Sequence, residues 1–336
     1  MKFLKSFFKW FAIVLASIIV LMYIFDVDYL LRAVRTIYFK GYTTAFLEDY
    51  KDFPNREIKK GIAQPWAIAK DYNSVDATSI LETTHKELQT AAFLIIQNDS
   101  LFHESYFDGY TKGSKSNSFS MAKSVITMAL GKAIMEGKIK NLDQKVIDFL
   151  PELKGEFAKE VTVGDLSSMA SGLNWDEKYY SPLSIVTRAY FDDDLREVML
   201  GLEINEKPGQ SFKYLSGATQ LLAMCIEKAT GEYVADYVSK HFWQPMGAEN
   251  EALWQLDHED DGIEKAYCCI ASNARDFARF GKLYLNNGNW NGKQILDSTF
   301  VKNILFQTTL RDIIKQSRDP KMTNLRGFIS KMKSEI

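Results

Sequence analysis

The chain has 336 residues, a length for one large domain or two modest ones. Its 41 basic and 43 acidic side chains leave a formal net charge of −2, which argues against a nucleic-acid partner. With 46% apolar and 25% charged residues the composition is globular, which excludes wholesale disorder. In chain order, Lys2, Lys5 and Lys9 precede Trp10–Phe25, a run without charge. As a helix that run spans roughly 24 Å, short of the hydrocarbon core of about 30 Å. Phe7 and Phe8 extend it, and Lys9 can snorkel to the interface. The run leaves through Met22, Tyr23, Ile24, Phe25 and Asp26, not through the small residues that signal cleavage needs. Residues 1–26 therefore read as a cytoplasmic stub and transmembrane signal anchor. A cleaved signal and a soluble amphipathic helix are the rival readings. The N-terminal lysines place that end in the cytoplasm, so a single-pass membrane protein is expected, its body periplasmic or extracellular. Arg32, Arg35 and Lys40 on the other side weaken that asymmetry.

Residues 27–75 read as a juxtamembrane segment. Tyr38, Tyr42, Phe46, Tyr50 and Phe53 predict that it packs on something. A helix is expected over Ser79–Gln89. Ala91–Gln97 and Leu101–Phe107 flank the turn cluster Asn98-Asp99-Ser100, a hairpin signal. A Gly/Ser/Lys loop over 109–118 leads into a long helix ending near Gly137. From Asn141 to Val301 helical signals dominate. Helices are expected over Leu142–Leu150, Thr162–Met169, Ala218–Ala229, Tyr233–Trp243 and Ala274–Leu285. Strands first and helices after point to an α+β fold. Residues 307–336 form a basic tail with one aromatic residue, Phe328, which reads as an appendage.

Several chemistries are excluded by what is missing. The sequence holds no HExxH, GxSxG, GxGxxG or GxxxxGK[ST] string. Cys225, Cys268 and Cys269 have no CxxC spacing, and a bridge between neighbours is strained, so buried free thiols are expected. No metal and no organic cofactor is expected.

Ser120-Met121-Ala122-Lys123 is an SxxK string. On a helix, residues i and i+3 share a face about 5–6 Å apart, which sets a hydroxyl beside an amine. Two further SxxK strings, Ser6–Lys9 and Ser330–Lys333, lie in the anchor and the tail and have no such context. Ser120 instead opens a stretch with Val125, Ile126, Met128, Ala129, Leu130, Ala133 and Ile134, apolar nearly all round and so buried. Desolvation and the positive end of the helix dipole both depress a lysine pKa there, which suits Lys123 to act as a base for a serine nucleophile. A helix-capping serine with a snorkelling lysine is the plainer reading of the same residues. Tyr214-Leu215-Ser216 follows Lys207-Pro208-Gly209-Gln210 and precedes an apolar helix. Tyr214 could relay protons and Ser216 could bond substrate; ordinary aromatic packing is again the alternative.

Ser120/Lys123 followed by Tyr214/Ser216 across a helical block resembles the serine β-lactamase and penicillin-binding superfamily. The nearest branch is the relatives of class C β-lactamases, among them serine esterases, D-amino-acid peptidases and 6-aminohexanoate-oligomer hydrolases. Supporting strings are Ser171-Gly172-Leu173-Asn174-Trp175, Thr230-Gly231, Pro245-Met246-Gly247 and Ala274–Gly281. The resemblance spans about Ala91 to Val301. It implies a β-lactamase/transpeptidase-like fold, an antiparallel sheet beside a large helical block, with the hydrolase domain over 76–306. It also implies Ser120 as acylated nucleophile, Lys123 as base, Tyr214 as proton relay and Ser216 against substrate. The Y-x-S form departs from the Asn of typical β-lactamases and fits amide and ester hydrolases better. The family's third motif, a KTG or HxG string on a C-terminal strand, is not found after Val301, so the C-terminal strands are expected to be missing and the domain incomplete. The expected function is a membrane-anchored serine hydrolase acting on a small-molecule amide or ester through an acyl-enzyme. The alternative is a catalytically silenced remnant or binding protein of the same family.

Overall fold

The computed structural model describes residues 2–306. Helix α1 (Lys2–Ile24) has no buried residue along its apolar length, Phe3–Ile24. Its 23 residues reach about 34 Å, longer than the uncharged run alone and enough to cross a hydrocarbon core. Four residues later comes α2 (Tyr29–Thr36), where Tyr29, Ala33 and Thr36 recur at i, i+4 and i+7 and are buried. Strands β1 (Asn55–Ile58) and β2 (Ala67–Ile68) follow, then α3 (Ser79–Glu87), capped by Thr78 Oγ1, which accepts from the Leu81 N–H at 3.3 Å. Strands β3 (Ala92–Gln97) and β4 (Ser100–Tyr106) form the expected hairpin. Its two-residue turn, Asn98-Asp99, has φ of 49° and 60°, the pair of left-handed residues that a tight hairpin demands.

Short β5 (Ser116–Asn117) leads through a 3₁₀ turn, Phe119–Met121, into α4 (Ala122–Met135). Helices α5 (Val163–Ser167), α6 (Ile185–Phe191), α7 (Leu195–Leu200), α8 (Ser216–Thr230) and α9 (Val234–Val238) complete the helical block. Gly231, at φ 73°, closes α8 in the left-handed conformation. Strands β6 (Ala252–Gln255) and β7 (Ile270–Ser272) then return, followed by α10 (Ala274–Leu285), a small hairpin of β8 (Asn289–Trp290) and β9 (Lys293–Gln294), and α11 (Ser298–Phe306). One sheet has the order β1-β6-β7-β5, all antiparallel, and a second has β2-β4-β3, with β2 parallel to β4.

The core lies between the larger sheet and the α4–α8 pair. On α4 Val125, Ile126, Met128, Ala129 and Leu130 are all buried, and on α8 so are Leu221, Leu222, Met224 and Ile226. Burying each of the larger side chains is worth about 1.5–3 kcal/mol. Tyr29, Ala33, Ile37, Phe53 and Ile58 join the same core, so the segment after α1 is part of the packed body.

Three expectations need correction. Leu142–Leu150 is only a 3₁₀ turn at Val146–Asp148. Its backbone pairs instead with the next segment: Val146 N–H donates to Val161 O at 3.1 Å, and Lys145 bridges Thr162. Strands β6 and β7 lie in a stretch read as helical. They are almost wholly buried on both faces, so they carry no alternation to betray them. Cys268 and Cys269 are joined as a vicinal disulfide, and Cys225 is the free, buried cysteine among the described residues. The expectations for a basic tail over 307–336 and for the strands beyond α11 fall outside the described residues.

Candidate active site

Ser120 sits at the centre of the 3₁₀ turn that leads into α4. That turn is held from both sides. Ser118 N–H donates to Ile270 O at 2.7 Å and Ser118 Oγ accepts from Ile270 N–H at 3.2 Å, which ties the turn to β7. Phe119 N–H donates to Asn117 Oδ1 at 2.9 Å. Phe119 stands at φ 43°, a left-handed conformation that costs a non-glycine residue about 1–3 kcal/mol. The turn thus presents Ser120 in a bend that its neighbours over-determine.

Asn117 is fixed in turn by Asp49, a fully buried carboxylate from the segment between α2 and β1. Asp49 accepts from Asn117 Nδ2 at 3.0 Å, Gln255 Nε2 at 2.9 Å and the Tyr190 hydroxyl at 2.6 Å. Burial raises its pKa and these bonds oppose the rise. The chain of contacts runs from residues 46–49 through Asn117 to the backbone of Phe119, one residue before Ser120.

Lys123 lies one turn further along. Its Nζ donates to Ser120 Oγ at 3.0 Å and to the carbonyl of Tyr267 at 2.7 Å. It is only 8% exposed, and burial holds its amine at about 8, against 10.5 in water. The negative charge of Glu177 works in the opposite direction. Tyr214 puts its ring 5.1 Å from Lys123 Nζ. Burial raises its phenol pKa, and hydrogen bonding to Ser120 partly offsets that, so it keeps its proton at neutral pH. Ser216, the first residue of α8, is buried and bonds Glu177 Oε2 from its hydroxyl at 3.3 Å and Glu177 Oε1 from its N–H. Trp175 Nε1 donates to the same Glu177 Oε1 at 3.1 Å. A Cβ at Gly217 would lie 2.5 Å from the Trp175 ring, so only glycine lets α8 start this close to the loop that carries Glu177.

Ser120, Lys123, Tyr214 and Ser216 are therefore brought to one place from two helices and the loop between 209 and 216. Glu177, Asn117, Asp49 and the Tyr267 carbonyl belong to the same site and were not read from the sequence. Glu177 lies two residues after Trp175 in a polar loop, where spacing carries no sign of its partner forty residues on. Ser120 and Lys123 open into a cavity of about 410 Å³, a size suited to a small organic ligand.

The beta-lactamase family profile matches residues 77–310. The chain belongs to the beta-lactamase family. Within the superfamily it is similar to 6-aminohexanoate-dimer hydrolase of Paenarthrobacter ureafaciens, 27% identical over 236 residues, 67% of this chain and 59% of that protein. It is also similar to protein flp of Staphylococcus aureus, 23% identical over half of this chain and 36% of that protein. The chain thus spans about six-tenths of the first relative's length and about a third of the second's. Among solved structures, a Bacillus anthracis protein assigned as a 6-aminohexanoate-dimer hydrolase aligns at a TM-score of 0.62 with 25% identity, covering 82% of this chain and 74% of that one. An octameric penicillin-binding protein homologue from Pyrococcus abyssi shares the fold at a TM-score of 0.50 and 20% identity, over 67% of this chain and 58% of that one. The chain therefore has the β-lactamase/transpeptidase-like fold of the serine β-lactamase superfamily.

Proposed function

We propose that this member of the beta-lactamase family is a membrane-anchored serine hydrolase that cleaves an amide or ester through an acyl-enzyme on Ser120. The observation that carries the reading is the 3.0 Å contact between Ser120 Oγ and a buried Lys123 amine whose proton affinity is lowered towards neutrality. In the first step Ser120 Oγ bonds to the acyl carbonyl carbon and its proton passes to neutral Lys123. The C–O or C–N bond of the tetrahedral adduct then breaks. The leaving group takes a proton from Tyr214, which is restored from Lys123. Water next attacks the acyl-serine ester and gives its proton to Lys123. The adduct collapses to the free acid, and Ser120 recovers its proton from Lys123. In this reading Ser216, which lines the same cavity as Ser120, would bond the substrate, and Glu177 holds Ser216 in place.

The anchor part of the proposal rests on α1, whose span Phe3–Ile24 is long and apolar enough to cross a membrane and holds no buried residue. With Lys2, Lys5 and Lys9 at its start, the positive-inside tendency puts residues 27 onward, including the hydrolase domain over 76–306, on the periplasmic or extracellular side. The substrate would be a small molecule or a small head group, with no nucleic acid involved. Labelling with a fluorophosphonate tests the chemistry. Ser120 should be the modified serine, and Ser120→Ala should abolish the signal. Label that persists in Ser120→Ala would overturn the assignment. An alkaline carbonate wash should leave the full chain in the membrane pellet, and release into the wash would overturn the anchor.

A further inference from the structure

The wall of the cavity beside Ser120 is supplied by the first helix after the anchor. Leu30, Ala33, Val34 and Ile37 all line it, and their spacing of i, i+3, i+4 and i+7 makes one stripe along α2 and the residue that follows. Val186 of α6 lines the same cavity, which reaches Ser120 and Lys123. The α2 stripe is apolar along its length, while Ser120, Lys123, Thr43, Thr44, Ser181 and Thr187 are polar residues of the same lining.

This wall is both fixed to the body and tied to the membrane. The Tyr29 hydroxyl donates to Pro182 O at 3.2 Å, Arg32 Nη1 donates to Asp257 O at 2.9 Å, and Arg188 pairs with Asp26. Only residues 25–28 separate α2 from the apolar helix α1. Six residue steps separate Ile24 from Leu30 and reach at most about 22 Å, so the stripe begins within that distance of the point where α1 would leave the bilayer. Tyr38 and Tyr180 line the cavity and are themselves 55% and 86% exposed, and their chain neighbour Phe39 is 81% exposed. Exposed aromatic side chains suit a membrane interface, where a ring sits among head groups.

We propose that the substrate is a long-chain acyl ester or amide drawn from the bilayer, with its hydrocarbon chain laid along the Leu30–Ile37 stripe and its carbonyl at Ser120. This rests on the anchored serine hydrolase reading above. Ser120 Oγ would form the bond to the fatty acyl carbon as the ester C–O or amide C–N bond breaks. The head-group alcohol or amine would leave protonated, and water would release the fatty acid.

The test uses the full chain in phosphatidylcholine vesicles and fluorophosphonates bearing two-carbon and twelve-carbon alkyl chains. The readout is the ratio of the two rates of Ser120 modification. Ala33→Trp fills the stripe and should lower the twelve-carbon to two-carbon ratio about tenfold, a loss equivalent to roughly two buried methylenes. Ile80→Trp, on the exposed face of α3, should leave the ratio as in the native chain. Comparing variants with the same pair of reagents cancels the partition of the longer reagent into lipid. A second measurement needs no turnover. Ser120→Ala chain is irradiated with a twelve-carbon fatty acid carrying a diazirine, and peptides covering residues 29–45 and 179–191 should carry the adduct. An unchanged ratio in Ala33→Trp, or adducts confined to α1, would overturn the proposal. Failure of both reagents to modify Ser120 while the adducts map to the stripe would overturn the hydrolase reading and keep the acyl site. Modification of Ser120 without stripe adducts or a ratio change would do the reverse.

Discussion

The pH dependence of Ser120 modification follows directly from the placement of Lys123. Burial holds the amine at about 8. At pH 7 about one amine in ten is then neutral, against about one in 3,000 for a lysine at its usual value in water. That difference is worth about 3 kcal/mol at the proton-accepting step. The expected profile of fluorophosphonate labelling rises about tenfold per pH unit below 7 and levels off close to pH 8. The rise follows loss of the Lys123 proton, because only the neutral amine can take the proton of Ser120. The same shift has a stability side. Below about pH 8 Lys123 is charged in folded and unfolded chains alike, and its burial costs stability. That cost is relieved as pH climbs from about 8 to 10.5, where only the unfolded chain holds the proton. Glu177 supplies a signed check. Its charge holds the Lys123 pKa up, so Glu177→Gln should move the labelling midpoint to lower pH. Rapid labelling measured between about pH 5.5 and about pH 11, with thermal melts at each pH, gives both quantities. A flat profile, or a midpoint near 10.5, would refute Lys123 as the base. A midpoint that moves alkaline in Glu177→Gln would refute the electrostatic account.

Three further outcomes are expected. Tyr214→Phe removes the proton donor without disturbing packing and should slow turnover of a p-nitroanilide substrate about a hundredfold, with a smaller effect on a p-nitrophenyl ester, whose leaving group needs no proton. Asp49→Ala strips the acceptor from Asn117, Gln255 and Tyr190, and each orphaned buried donor costs about 1–3 kcal/mol. Differential scanning calorimetry should show a fall in Tm on the order of 10 °C, and Ser120 labelling should drop as the Phe119 turn loses its brace. Gly217→Val drives a side chain into Trp175 and pushes the Glu177 loop off Ser216, so tryptophan fluorescence should report a displaced indole and labelling should slow. Native fluorescence and native labelling in that variant would show that the close approach is not needed.

The parts of this protein legible in the sequence are those governed by local rules. The Asn98-Asp99 turn and the Gly231 stop after α8 follow from which residues tolerate a left-handed backbone. The apolar surround of α4 announced a buried helix, and one helical turn between Ser120 and Lys123 sufficed to set hydroxyl beside amine, because the i, i+3 spacing is a property of the helix itself. Tyr214 and Ser216 could be placed near them only through the family resemblance. Strands β6 and β7 were illegible, since burial on both faces erases alternation, and the Leu142–Leu150 stretch was misread because its hydrogen bonds go to residues 161–163. Asp49, Asn117, Glu177 and the Tyr267 carbonyl had no signal at all. Each acts through a partner far along the chain, 68 residues between Asp49 and Asn117 and 39 between Glu177 and Ser216, and no local pattern encodes a contact that exists only after the chain has closed on itself. The sequence by itself determined the helix that sets Ser120 beside Lys123. Only the tertiary structure decided how deeply Lys123 is buried on it, that Glu177 stands close enough to act on its charge, and that the segment next to α1 walls its cavity, because burial and charge proximity are properties of the packed body and not of any stretch of residues within it.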